Sequence, residues 1–221
     1  MPKIQLKVKA VIFDMDGVIT NTMSDHFKAW KKIFADEGIN VTRLDVYSRE
    51  GQKGIHSVRE IFEVYKKPFG LSKAKDLLNK KEELFKKIAK KRFIPGARRF
   101  LRALHQKGFL LALVTGTSRH ELHRILPDDL YNLFAVTVTG NDVKHGKPHP
   151  EPFIKAIKKL KVSSKEVFVI ENSPLGIRSA GAAGLQCLAL ETSLPKKYLK
   201  DADKIFNSIQ DLQKSVSISY L

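Results

Sequence analysis

The 221-residue chain contains a single cysteine, Cys187, so no disulfide can form within it, and a reducing compartment is the expectation. Long apolar runs are also missing. Stretches such as Phe109 to Val114 fall far short of the ~20 residues that cross a bilayer. Lys3, Lys7 and Lys9 interrupt the first apolar residues, and no signal-peptide core follows them. Acids are scarce as well: 23 Asp and Glu stand against 40 Lys and Arg, a formal charge of +17. Such an excess favours anionic partners and says nothing about fold. With 43% hydrophobic residues, the chain carries enough apolar surface for a packed core, which excludes disorder. The expectation is a soluble cytoplasmic protein that neither spans nor anchors in a membrane, with a monomer as the default state.

Short apolar runs alternate with helical patterns. The runs are VKAVIF (Val8 to Phe13), FLLALV (Phe109 to Val114), FAVTV (Phe134 to Val138), VFVI (Val167 to Ile170) and the weaker CLAL (Cys187 to Leu190). Segments apolar on both faces suit buried parallel strands covered by helices. Helices start near Pro95, Pro152 and Pro174, and the first and third stop at Gly108 and Gly184. This alternation predicts an α/β fold with a doubly wound parallel sheet, whose ligand lies beyond the carboxyl ends of the strands. One connection breaks the rhythm. From Gly17 to Pro95 the text is helical only, far beyond the usual ~4–6-residue loop. Residues 21–92 therefore read as an inserted helical domain, and residues 1–20 with 93–221 as the α/β core. The tail VSISYL alternates Val216, Ile218 and Tyr220, which fits either a short edge strand or a frayed end.

The first strand runs into Asp14-Met15-Asp16-Gly17. Residues at i and i+2 of extended chain point the same way, so two carboxylates share one edge of the sheet. At 4 Å their repulsion is about 4 kcal/mol in an effective dielectric of 20. A hard divalent cation relieves it, and Mg²⁺ is the default. Taken alone, the pair also fits a surface turn with two solvated aspartates. Three further strand ends change that balance: Thr115-Gly116-Thr117, with hydroxyls and small residues; Gly146-Lys147-Pro148, with one lysine; and Glu171-Asn172-Ser173, with an acid and an amide oxygen. Together they suit Mg²⁺ and a phosphoryl group.

The ordered set VIFDMDGVIT, VTGTS, GKPHPEPF and VIENSPLGIRSAGAAG resembles the four motifs of the haloacid dehalogenase-like hydrolase superfamily, over nearly the whole chain. DGVITNTMSDHFKAW is similar to the start of the helical cap in its β-phosphoglucomutase and phosphoglycolate phosphatase branch. The resemblance implies a Rossmann-like core and a cap between the first two motifs. It implies Asp14 as the nucleophile that becomes an aspartyl phosphate, and Asp16 as the acid and then the base. Thr115, Gly116 and Lys147 hold the phosphoryl oxygens. Asp14, the Asp16 backbone carbonyl, Glu171 and Asn172 supply the Mg²⁺ site. Asn172 departs from the usual second acid of the fourth motif, which implies weaker Mg²⁺ affinity. Acid chemistry near neutral pH requires an Asp16 with a raised pKa, which a closed cap and nearby carboxylates favour. The resemblance also discriminates within the superfamily, since its dehalogenases and phosphonate-cleaving members lack the second aspartate. Phosphate monoesters are left.

In the insert, His26 is either a packed helix residue or a neighbour of the proton-handling Asp16. Lys53 lies in Glu50-Gly51-Gln52-Lys53-Gly54, which resembles the substrate-contacting cap loop. Lys81 sits in a lysine-rich helix, where a solvated face is the expectation. Gly54 stands where mutases of the branch carry an arginine, with Arg49 or Lys53 as the available substitutes, so a phosphatase is favoured over a phosphosugar mutase. The other class considered, a basic nucleic-acid-binding module, lacks any helix-turn-helix, zinc-ligand or aromatic-interleaved basic motif.

Overall fold

A computed structural model describes residues 3–221. In chain order its main elements are β1 (Ile4–Val8), β2 (Ala10–Phe13), α1 (Met23–Ala35), α2 (Arg43–Tyr47), α3 (Gly54–Val64), α4 (Leu71–Ile88), α5 (Ala97–Gln106) and β3 (Leu110–Val114). There follow α6 (Arg119–Ile125), α7 (Asp128–Tyr131), β4 (Val136–Val138), α8 (Glu151–Leu160), β5 (Val167–Glu171), α9 (Pro174–Ala182), β6 (Gln186–Leu190), β7 (Lys204–Phe206), α10 (Ile209–Ser215) and β8 (Val216–Tyr220).

Six strands form one sheet in the order β4-β3-β2-β5-β6-β7, and every pairing is parallel. The expected doubly wound α/β sheet is present. The period of two along each strand sends alternate side chains to opposite faces. Val11, Phe13, Leu111, Leu113, Phe168 and Ile170 pack with α5 and α10 on one side. Ala10, Ile12, Ala112, Val114, Val167 and Val169 pack with α8 and α9 on the other. β2 lies between β3 and β5, so the chain reverses its direction of winding there, which is where such sheets bind ligands.

Two details differ from the sequence pattern. VKAVIF is not one strand: it divides at Lys9, whose backbone bonds both neighbours while its ammonium pairs with Glu166 at 2.5 Å. β1 then leaves the main sheet and pairs in parallel with β8, so the VSISYL tail is ordered, as an edge strand of a separate two-stranded ribbon. β7, only three residues long, gave no apolar run to read.

Residues 23 to 88 hold α1–α4 and no strand, with their own cluster of apolar side chains that includes Trp30, Phe34, Val58, Phe62 and Leu77. The chain leaves and re-enters the sheet region through two adjacent segments. Asn21 N–H donates to the Arg92 carbonyl at 2.9 Å, and Ile94 N–H to that of Ile19 at 2.9 Å. Arg92 also pairs with the buried Asp25 carboxylate at 2.6 Å, fixing the start of α1 to the returning strand of chain. Among the described residues, no helix is long and apolar enough to cross a membrane.

Candidate active site

Register brings the predicted groups together. Phe13 is level with Leu113 on one side and Ile170 on the other, so Asp14, Thr115 and Glu171 emerge side by side at the same sheet edge. Lys147 reaches them from the loop before α8. Its ammonium donates to Asp14 Oδ1 and to Glu171 Oε1, both at 2.6 Å, and to the Val114 carbonyl at 3.2 Å. All three side chains are buried. Burial alone would depress the Lys147 pKa, but the two carboxylates hold it above its ordinary value, so the lysine stays charged. Asp14 is lifted well above the usual carboxylate range by burial, and by Glu171 and Asp16, against the attraction of Lys147.

Glu171 is held from both sides. Placed among the metal ligands by resemblance, it has both oxygens engaged within the protein. Oε1 faces Lys147, and Oε2 accepts from the N–H groups of Asn172 and Ser173 and from the Ser173 hydroxyl. The carboxylate thus sits at the positive N-terminal end of α9. Gly176 in that helix makes room for it: a Cβ there would fall 1.6 Å from Glu171 Oε1. Glu171 anchors the lysine.

Asp14 Oδ2 and Asn172 Oδ1 are buried without a hydrogen-bond partner. Two orphaned oxygens at one sheet edge are the donor chemistry that a hard cation such as Mg²⁺ takes, so the residues fit the ion. Asn172 is oriented by its amide, which donates to Ser193 Oγ at 2.7 Å. Among the described residues, no three His, Cys, Asp or Glu side chains form a metal cage, in keeping with an amide replacing one acid.

Asp16 is placed differently. Its carboxylate turns to hydroxyls: Oδ1 accepts from Thr22 and, at 3.3 Å, Thr20, and Oδ2 accepts from Thr117 at 2.9 Å. His26 Nε2 lies 3.4 Å from Oδ1, with its ring stacked on Phe85 at 4.0 Å between centroids. His26 is thus both packed and a neighbour of Asp16. Burial would raise the Asp16 pKa, but His26, Thr22 and Thr117 outweigh it and bring the pKa down to about 2. The expected upward shift is reversed, because hydrogen bonds to the charged form dominate. Thr20 and Thr22 carry no sequence expectation beyond the run of hydroxyls after Gly17, and Thr117, read with its strand end as a phosphoryl contact, binds Asp16 instead.

Thr115 is buried and its hydroxyl accepts the Thr117 N–H at 3.1 Å. Gly116 lies under the 50–54 loop, where a Cβ would meet the Gly51 carbonyl oxygen at 2.7 Å. The Lys53 ammonium donates to the Val143 carbonyl at 2.8 Å, joining this loop to the sheet side, and the residue lines the cavity beside the site. Lys81 corrects the solvated-face expectation. It is buried, with its ammonium 4.7 Å from the Phe85 ring centroid and 5.7 Å from that of Trp30. The signal was present: Ala74, Leu77, Lys81 and Phe85 recur at helical spacing on the buried face of α4.

A lysine-neutralised aspartate at the switch point of a parallel sheet, with a second aspartate beside it, defines a phosphoryl-handling class of α/β enzymes. The haloacid dehalogenase-like hydrolase profile matches residues 11–190, and the chain belongs to that family. It is 32% identical over 184 residues to a phosphorylated carbohydrates phosphatase of Thermotoga maritima, a match spanning 81% of this chain and 83% of that one. It is 31% identical over 212 residues to the mitochondrial (DL)-glycerol-3-phosphatase 1 of Arabidopsis thaliana, covering 92% of this chain and 71% of that one. A solved β-phosphoglucomutase from Clostridium difficile superposes with a TM-score of 0.80 at 24% identity, covering 94% of this chain and 96% of that one, a likeness of fold.

Proposed function

We propose that this chain is an Mg²⁺-dependent phosphatase that hydrolyses small phosphate monoesters, of the sugar-phosphate or phosphoglycolate kind, through an aspartyl phosphate on Asp14. The observation that carries the reading is the pairing of Lys147 with Asp14 and Glu171, which leaves Asp14 Oδ2 and Asn172 Oδ1 buried and unpartnered. Asp14, Asn172 and the Asp16 backbone carbonyl are the groups proposed to hold Mg²⁺. The ion, when bound, offsets charge on the phosphoryl oxygens and the attacking carboxylate.

An Asp14 oxygen bonds to phosphorus while the ester oxygen departs and takes a proton from Asp16. Water then attacks the same phosphorus and gives its proton to Asp16, freeing phosphate and restoring the Asp14 carboxylate. Thr115, the Gly116 backbone and Lys147 cradle the phosphoryl group, and the permanent Lys147 charge lets anion meet anion. An Asp16 pKa of about 2 suits the second half-reaction, in which it accepts a proton. For the first, the arriving phosphate dianion is a like charge, which raises the Asp16 pKa as the site fills. The helical residues 21–92 act as a cap, and the paired segments around Asn21 and Arg92 serve as its hinge.

Hydrolysis is favoured over mutase chemistry because Gly54 stands where the mutase arginine would, and the two cations that could replace it are drawn elsewhere, Arg49 to Glu60 at 3.0 Å and Lys53 to the Val143 carbonyl. Phosphate release from a panel of monoesters, with and without Mg²⁺, tests the reading. Release that requires Mg²⁺ and vanishes in Asp14→Asn supports it. Conversion of β-glucose 1-phosphate to glucose 6-phosphate without free phosphate, in the presence of a bisphosphate activator, would replace it with the mutase.

A further inference from the structure

Next to the catalytic groups, between the cap and the sheet edge, lies a cavity of about 210 Å³ that Gly116, Thr117 and His26 help to line. Most polar groups on its wall are already engaged. Arg49 pairs with Glu60 at 3.0 Å, Lys53 donates to Val143, and Asp45 is held by Thr42 and Tyr65. Two buried groups on this wall lack a hydrogen-bond partner, Arg49 Nε and one carboxylate oxygen of Glu121, from α6. Only 5% of Glu121 is exposed; Oε2 accepts from Ser118 Oγ at 3.3 Å, and Oε1 has no partner.

The neighbouring charges do not supply that partner. Lys81 sits over the Phe85 and Trp30 rings, and its charge acts on Glu50 and Glu82. Both of these acids line the same cavity, as do Lys81, Arg49 and Lys53. Glu82 is pushed up by burial first and by the Glu121 charge next, and both carboxylates belong to the wall of this cavity. A buried carboxylate oxygen without a donor is unfavourable, and Glu121 lies on the wall of this cavity and of a second one beside Lys86, Lys90 and Arg124.

We propose that Glu121 is a specificity-determining residue whose free oxygen accepts a hydrogen bond from a hydroxyl or ammonium group of the departing alcohol. Monoesters of polyols and amino-polyols satisfy it; an ester that brings a carboxylate or a second phosphate to this oxygen sets a like charge against Glu121. This rests on the phosphatase reading and deepens it, because it divides the candidate substrates. A site built to hydrogen-bond a substrate hydroxyl discriminates strongly against analogues without one, since its own buried group is then left unpaired.

The test is steady-state hydrolysis of sorbitol 6-phosphate, glucosamine 6-phosphate and 2-phosphoglycolate by the full chain with Mg²⁺, in wild type, Glu121→Gln and Glu121→Lys. The expected wild-type kcat/KM is at least about tenfold higher for the first two esters than for the third. Glu121→Gln narrows that ratio about fivefold or more, and Glu121→Lys reverses it. Thermal melts accompany the assays, because the Glu121 carboxylate also accepts from the hydroxyl of Ser118, the residue that caps α6. The isosteric Gln variant carries the test if the Lys variant does not fold. Ratios that stay constant while the melting temperature and all three rates fall together would overturn the proposal and leave Glu121 as a capping residue. A wild type that turns over none of the three esters, nor any other monoester, would remove the phosphatase reading along with it.

Discussion

Gly51 of the cap loop rests directly on the side chain of Lys147: a Cβ at position 51 would fall 2.7 Å from Lys147 Cδ. Gly51 also has a φ of +86°, which side-chain-bearing residues rarely adopt. One small residue thus lets the 50–54 loop lie over the lysine that pairs with Asp14, the proposed nucleophile. Gly51→Ala is expected to lower kcat/KM about 10- to 100-fold by displacing the loop or the lysine. Steady-state phosphate release and a circular-dichroism melt, read together, separate this from unfolding.

Lys147 is buried between Asp14 and Glu171. Lys147→Met leaves two carboxylates without their cation, which costs about 3–5 kcal/mol when one partner of a buried pair is removed. Urea unfolding at pH 7 reads this loss, and phosphate release is expected to become undetectable. The destabilisation shrinks as pH is lowered, because Asp14, already raised, then takes a proton.

Asn172→Asp adds a charge beside the orphaned Asp14 oxygen. The activating Mg²⁺ concentration is expected to fall by about tenfold, the gain from a second negative ligand near a divalent ion. A titration of activity against Mg²⁺ measures it. An unchanged midpoint would mean that residue 172 does not contact the ion.

Asp142 caps the turn after β4 through Thr139 and pairs with Arg119 at 2.8 Å. Burial would raise its pKa, but the Thr139 hydrogen bonds and Arg119 bring it down to about 2. A carboxyl with a depressed folded-state pKa releases its proton more readily when folded. Its stabilisation is therefore full above the unfolded value of 3.8 and disappears as pH falls through about 2. Urea midpoints between pH 5 and pH 2 should fall more steeply for wild type than for Asp142→Asn, with the two curves converging near pH 2.

The strand ends were legible because each is marked locally. A buried apolar run stops at Asp14, at Thr115 and at Glu171, and proline and glycine bracket Lys147. The parallel register then aligns them without further information. What was not legible depends on contacts between distant segments. Thr117 meets Asp16 across 101 residues and Lys53 meets Val143 across 90, and local periodicity carries no trace of either. The sign of the Asp16 pKa depends on that network, so burial and charge alone gave the wrong direction. Lys81 was lost among neighbouring lysines, although the phase of α4 marks it as inward-facing.

The central claim is a covalent bond between Asp14 and phosphorus. Mixing enzyme, Mg²⁺ and a hydrolysed ester, quenching in acid and mapping peptides by mass spectrometry tests it directly. The account predicts a phosphoryl adduct on the peptide carrying Asp14, more abundant in Asp16→Asn, where loss of the base slows hydrolysis of the intermediate, and absent in Asp14→Asn. Turnover that continues in Asp14→Asn, with no adduct on the wild-type peptide, would contradict it.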